Sequence, residues 1–173
     1  MKNYKELLKN ITAFVFDYDG TLTDGTVILL DDGQPLRTAN VRDGYAIQLA
    51  VKKGYHVIII SGGRSKSMEN RFKMLNVEHV FLGVEHKLET LKGVMKEKGL
   101  EPANVLYMGD DIPDYHAMKY CGVATCPADA AEEIKAVSHY ISHLRGGEGC
   151  ARDVIEQVLK VQGHWMKDDA FTW

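Results

Sequence analysis

The run from His56 to Ile60 carries Val57, Ile58, Ile59 and Ile60 without a polar break. A strand of that kind is buried on both faces, which requires a parallel sheet held between two layers of helices. The rest of the chain fits the requirement. Further short apolar runs at Ala13–Phe16, Val80–Leu82, Val105–Met108 and near Val123 and Tyr140 read as strands. Between them lie segments of helical character: Lys2 to Lys9, Asp43 to Val51 with Asp43 as cap and Gly54 as stop, Ser65 to Leu75, Leu88 to Lys98, Ala130 to Val137 and Arg152 to Val161. Pro113 suits the first turn of one more helix. Strands alternating with helices predict an α/β, Rossmann-like fold with a mainly parallel sheet and helices on both faces. One stretch breaks the alternation. Thr26–Leu30 and Leu36–Val41 flank Asp31-Asp32-Gly33-Gln34-Pro35, which predicts a β-hairpin over about residues 25–41, inserted after the first strand at the sheet's edge.

At 173 residues the chain makes one domain, 1–173, with hydrophobic and charged fractions of 45% and 26% that are ordinary for a globular protein. A net charge of −3 gives no basis for nucleic-acid binding. No apolar run reaches the ~20 residues of a membrane span, and the amino terminus has no signal-peptide core. Three cysteines (Cys121, Cys126, Cys150) without a CxxC pair are expected in a reducing cytoplasm.

Ligands of open parallel sheets bind beyond the carboxyl ends of the strands. Four such ends carry polar groups here: Asp17-Tyr18-Asp19-Gly20-Thr21, Ser61-Gly62-Gly63-Arg64, Lys87, and Gly109-Asp110-Asp111 with Asp114 close behind. Each alone has a plain reading as a turn, a helix cap or a surface charge. A calcium loop is excluded because Leu22 stands where that loop needs glycine. Together, in this order, they suit one reaction. A carboxylate can take a phosphoryl group and divide one displacement into two. A second carboxyl can protonate the leaving alcohol. Clustered acids need a divalent cation, and oxygen ligands with open positions suit Mg²⁺. Lys87 and the Ser61 hydroxyl can neutralise and orient the transferring group.

These segments, DYDGTLTDG, the strand-ending SGG, Lys87 and GDDIPD, resemble the four motifs of the haloacid dehalogenase superfamily of phosphotransferases. The resemblance implies that Asp17 is the nucleophile and Asp19 the acid/base, its main-chain carbonyl also on the metal. Asp110 then completes the protein ligands to Mg²⁺, with Asp111 and Asp114 in the shell behind. Neither gap between motifs holds a cap domain, so the site is expected to act on something large or to be closed by neighbouring subunits.

The hairpin with RTANVRDGYAIQLAVKKG, and the late GGEGCARDVIEQVLK, are similar to the 3-deoxy-D-manno-octulosonate 8-phosphate phosphatases. These are capless tetramers that supply a keto-sugar acid to the lipid A core of Gram-negative bacteria. The resemblance implies a homotetramer built on the hairpin. It also implies a tail, about 145–173, whose loop Gly146-Gly147-Glu148-Gly149 and Arg152 serve a neighbour's site. Gly62, Arg64 and Arg71 are candidate substrate contacts. The two arginines lie seven apart, two turns along one helix face, where guanidinium groups could pair with a carboxylate. Relatives often read Thr-Gly-Arg where this chain has Ser61-Gly62-Gly63, with arginine moved to Arg64. Tyr18 between the catalytic carboxyls should point away from them. His116, His139 and His143 read as structural or surface residues, and the closing WMKDDAFTW is expected to dock rather than fray, another subunit being one place for it. Two rivals remain: a phosphatase for a nine-carbon keto-deoxy-nonulosonate 9-phosphate, and a catalytically idle oligomerisation module. A receiver domain places its acidic pair and its phosphorylated aspartate in another order.

Overall fold

A computed structural model describes residues 3–33 and 35–172. In chain order its elements are α1 (Tyr4–Leu7), β1 (Ala13–Phe16), β2 (Ile28–Leu29), β3 (Pro35–Leu36), α2 (Val41–Lys52), β4 (His56–Ser61) and α3 (Lys66–Met74). There follow β5 (His79–Leu82), α4 (Lys87–Lys98), β6 (Val105–Met108), α5 (Tyr115–Tyr120), β7 (Val123–Cys126), α6 (Glu132–Val137), β8 (Tyr140–Ile141) and α7 (Cys150–Val161). Six strands form one sheet in the order β5-β4-β1-β6-β7-β8, with every neighbouring pair parallel.

Alternation within the strands divides the core. Phe14, Phe16, Val57, Ile59, Leu106 and Met108 face α2, α3 and α7. Ala13, Val15, Ile58, Ile60, Val105 and Tyr107 face α4, α5 and α6. The two-sided burial that the His56–Ile60 run demanded is thereby met. β1 sits at the centre of the sheet between β4 and β6, so the residues leaving these three strands meet at one end.

The hairpin departs from expectation in place and extent. β2 and β3 pair antiparallel in a separate two-stranded sheet, with Ile28 opposite Leu36 and Leu29 opposite Pro35. It rises from the end of central β1 rather than extending the sheet's edge. Gln34 of the expected turn, Lys2 of the expected first helix and Trp173 of the closing segment lie outside the described residues.

α2 also begins earlier than expected. Asn40, in an extended conformation, accepts hydrogen bonds from the Arg42 and Asp43 amides and is the cap. Asp43 thus falls inside the first turn, where it is 2% exposed and does a different job. Its Oδ1 accepts from the Arg152 amide at 2.7 Å, tying α2 to the first turn of α7. Oδ2 is buried with no partner among the described residues. Burial raises the Asp43 carboxyl to about 6, against the lowering effect of the Arg152 and Gly149 amides. A carboxyl raised by folding contributes stability below the ordinary carboxylate range and loses it as pH rises through about 6. Asp43→Asn keeps an acceptor for the Arg152 amide and removes the charge. It should therefore match or exceed the parent by about 1–3 kcal/mol near pH 8, with the advantage gone near about pH 4.5. Urea denaturation across that range measures this. A variant weaker by the same amount at every pH would show that the ionised carboxylate is required.

Candidate active site

Asp17 follows the last residue of β1 and is 7% exposed. The chain then winds tightly, with the Tyr18 carbonyl accepting from the amides of Thr21, Leu22 and Thr23. The Tyr18 ring points into the core, edge-on to Phe72, as expected. Gly20 takes φ +85°, a conformation open chiefly to glycine, and a Cβ there would collide with the Asp110 carboxylate. The missing side chain thus lets the loop after β1 close onto the loop after β6. Thr21 Oγ1 donates to Asp110 Oδ1 at 3.3 Å.

Lys87 is the first residue of α4 and 6% exposed. Its Nζ lies 2.8 Å from Asp17 Oδ1 and 2.8 Å from Asp114 Oδ1. Tyr107 Oη donates to the same Asp114 oxygen at 2.7 Å. Asp114 is 1% exposed, and its Oδ2 is buried without a partner among the described residues. Gly109 leaves room for it, since a Cβ there would strike the Asp114 side chain. Oxygens of Asp17, Asp110 and Asp114 lie within 4.8 Å of one another.

This crowding sets the electrostatics. Burial first, then the neighbouring Asp17 and Asp114, hold the Asp110 carboxyl far above the usual range. Burial and Asp114 likewise raise Asp17, although Lys87 works against them. Burial alone would lower the Lys87 ammonium, but Asp114 and Asp17 more than reverse this and keep it charged. One ammonium cannot neutralise three carboxylates. An all-oxygen set with an orphaned buried oxygen fits a hard divalent cation. Asp114, expected in the shell behind the metal, belongs to this inner group. Asp111 does not: it is exposed and accepts from the Ile112 amide as a cap.

Ser61 ends β4, beside β1, and its Oγ accepts from the Gly63 amide at 3.1 Å. Asp19 sits at the mouth, its side chain 33% exposed. Both its oxygens are taken by Arg37 of the hairpin segment, Nε on Oδ1 at 2.5 Å and Nη2 on Oδ2 at 3.0 Å. Sequence reading missed Arg37, as nothing in its local pattern marks it. It also missed Tyr107, whose inward position follows only from the strand's alternation.

The arginines expected to share a helix face do not. Ser65 is extended and caps α3, so Arg64 precedes the helix and has no helical phase relation to Arg71. Arg64 is exposed and reaches back to the Gly83 carbonyl at 3.4 Å. Arg71 turns towards α2, with Nη2 3.5 Å from the Asn40 carbonyl. Gly62 is exposed at the mouth. The glycine loop packs on its own chain: the Gly147 amide donates to the Thr21 carbonyl at 3.0 Å. Arg152 is engaged there too, by Glu156 at 3.3 Å and by the rings of Tyr45 and Trp165. The closing segment docks, as expected, and it does so on α2 of its own chain and the residue that caps it, through Tyr45 to the Ala170 carbonyl and Lys53 to Asp169. His139 accepts from the Ala124 amide, a structural role.

Comparison with known proteins places the chain in a family. A haloacid dehalogenase-like hydrolase family model matches residues 83–152. A 3-deoxy-D-manno-octulosonate 8-phosphate phosphatase of Salmonella typhi is 34% identical over 155 residues, covering 90% of this chain and 82% of that protein. The Escherichia coli K12 protein of the same name is also 34% identical over 155 residues, with the same coverage. The Moraxella catarrhalis phosphatase of that name, solved with magnesium ion, phosphate ion and KDO, superposes with a TM-score of 0.92 at 34% identity. The match covers 99% of this chain and 97% of that one. The Yersinia pestis structure gives 0.92 at 31% identity over 94% of this chain and 88% of its own. At 34% identity across nine tenths of its length, the chain belongs to the 3-deoxy-D-manno-octulosonate 8-phosphate phosphatase family of haloacid dehalogenase-like hydrolases.

Proposed function

We propose that this protein is a Mg²⁺-dependent phosphatase that releases phosphate from 3-deoxy-D-manno-octulosonate 8-phosphate, in the making of lipopolysaccharide precursors. The observation that carries the chemistry is the convergence of Asp17, Lys87 and Asp110 at the end of β1. Family membership supports the substrate.

Asp17 offers its carboxylate oxygen to phosphorus, and the bond from phosphorus to the sugar's terminal oxygen breaks. Asp19 gives that oxygen a proton, so the keto-sugar acid leaves as an alcohol. Asp19 then takes a proton from water, whose oxygen attacks phosphorus and returns Asp17 as a carboxylate. Lys87 and Ser61 hold the phosphoryl oxygens through both steps. Magnesium would be held by Asp17, Asp110 and the Asp19 main-chain carbonyl, with Asp114 in the same cluster, and would supply the charge that lets the carboxylates stay ionised beside an anionic group. The chemistry is tested by substitution. Asp17→Asn should abolish turnover with the fold intact, and Asp19→Asn should slow it by about 10²–10⁴. Among phosphate esters the eight-carbon keto-acid phosphate should give the highest kcat/KM. A preference for the nine-carbon ester would transfer the assignment to that substrate, and full activity in Asp17→Asn or in excess chelator would end the mechanism.

Raised carboxyls in the cluster also mean that protons compete with the metal. Magnesium affinity should fall as pH drops from about 8 to about 6, with protons released on binding. Calorimetry in buffers of different ionisation heat reads both. Constant affinity with no proton release would remove Asp17 and Asp110 from the ligand set.

We further infer a cytoplasmic homotetramer. The three thiols are free and buried, which suits a reducing compartment. Among the described residues, no helix is long and apolar enough to cross a membrane. The hairpin exposes Ile28, Leu29 and Leu36, Leu29 at 83%, and a two-stranded ribbon is marginal on its own. Such a surface calls for a partner of its own kind. The Arg152 side chain is held by Glu156, Tyr45 and Trp165 of its own chain but is 34% exposed, so a trans role would add a contact to these. Light scattering should give about four times the chain mass, and Leu29→Asp should break the assembly. A monomeric parent would refute it.

A further inference from the structure

Among the described residues of the hairpin, Arg37 is the one whose side chain reaches Asp19, and neither nucleophile, metal nor acid/base chemistry requires it. Its side chain is only 8% exposed. Two of its three guanidinium nitrogens hold Asp19, and the third, Nη1, is buried with no hydrogen-bond partner among the described residues. A buried cationic N–H without an acceptor is rare, because it has given up water and received nothing in exchange. The geometry suggests what the acceptor is. A Cβ on Gly63 would lie 2.8 Å from Asp19 Oδ2, 3.0 Å from Arg37 Nη2 and 3.5 Å from Ser61 Oγ. Nη2, the neighbour of Nη1 on the same guanidinium, and the Ser61 hydroxyl therefore border one small space, and Gly63 keeps it free of any side chain of its own.

Lys87 already spends two of its N–H groups on Asp17 and Asp114. A transferring phosphoryl group spreads its charge over three equatorial oxygens and needs more donors than Lys87 and Ser61 have left. Arginine's planar fork can hold a carboxylate along one edge and present the remaining nitrogen to a phosphoryl oxygen. Arg64, the cation nearest in sequence, is turned onto the Gly83 carbonyl.

We propose that Arg37 is a ligand of the substrate's phosphoryl group, delivered to the site by the hairpin and anchored there by Asp19. The inference rests on the phosphatase reading above, but not on which ester is the natural one. It is tested with inorganic phosphate as a competitive inhibitor of p-nitrophenyl phosphate hydrolysis, in the parent, Arg37→Ala and Arg37→Lys. Loss of a charge-assisted hydrogen bond should weaken phosphate inhibition about tenfold or more in Arg37→Ala. kcat/KM should fall on the simple ester and on the sugar-acid ester alike. Lysine restores the charge but cannot hold both Asp19 oxygens and a phosphoryl oxygen together, so Arg37→Lys should fall between. It also gives a reading should the alanine variant fail to fold. Phosphate inhibition within about twofold of the parent in either folded variant, whatever the turnover, would overturn the proposal and leave Arg37 a partner of Asp19 only. Poor hydrolysis of the sugar-acid ester by the parent would instead refute the substrate assignment and leave the phosphate comparison standing.

Discussion

Mutual repulsion among Asp17, Asp110 and Asp114 is the constraint on which the rest of the site depends. Unit charges about 4 Å apart repel by roughly 4 kcal/mol at an effective dielectric constant near 20. Three ionised carboxylates and one ammonium leave a surplus of two negative charges where Asp17, Asp114 and Lys87 are buried and Asp110 is partly so. Lys87 relieves part of it from the first turn of α4, and Tyr107 satisfies one Asp114 oxygen from the strand below. The remainder appears as carboxyl groups that hold their protons far above the usual range. A fold organised in this way is incomplete without a cation and is prepared for one.

Bringing the acids together is a problem of backbone approach as well as of charge. Gly20 removes a side chain where the Asp110 carboxylate must pass from another loop, and Gly109 does so for Asp114 of its own loop. The glycine loop after β8 then presses on the back of the loop that follows Asp17, its Gly147 amide on the Thr21 carbonyl. Asp43 fixes α7 behind that loop by accepting from the Arg152 amide. The late glycine segment and the buried aspartate of α2 thus support Asp17 from a distance. Because the loop packs in cis, its glycines are explained by close contact inside one subunit.

What the sequence revealed and what it concealed divide along a physical line. The sheet and the order of the site residues were legible because each depends on local pattern: apolar runs make strands, and parallel strands deliver their ends to one place. Contacts that depend on where a non-local segment lands were not. Asn40 and Asp43 are both good caps by composition, and only the extended backbone at residue 40 decides between them. Arg64 and Arg71 share a face only if the helix already runs through residue 64, and Ser65 starts it later. Asp114 looks peripheral in GDDIPD, but the 3₁₀ turn Ile112–Asp114 rotates it inward beneath Gly109 while leaving Asp111 in solvent. Arg37 had no local signal at all, since its meaning comes from the path of the hairpin.

That path joins the outside of the molecule to its chemistry. Leu36 is exposed on the hairpin's apolar surface, and Arg37, the next residue, is buried against Asp19. Successive residues of an extended chain point to opposite sides. One short stretch therefore offers a hydrophobic side chain outward and a guanidinium inward. Strands of two residues each hold this arrangement weakly by themselves. The inward contact stiffens the hairpin through a two-point ion pair, and a partner on the outward face would stiffen it again. A change in what covers Leu36 would then lie one peptide unit from the residue that holds Asp19, so the hairpin's outer surface and the mouth of the site are neighbours along the chain.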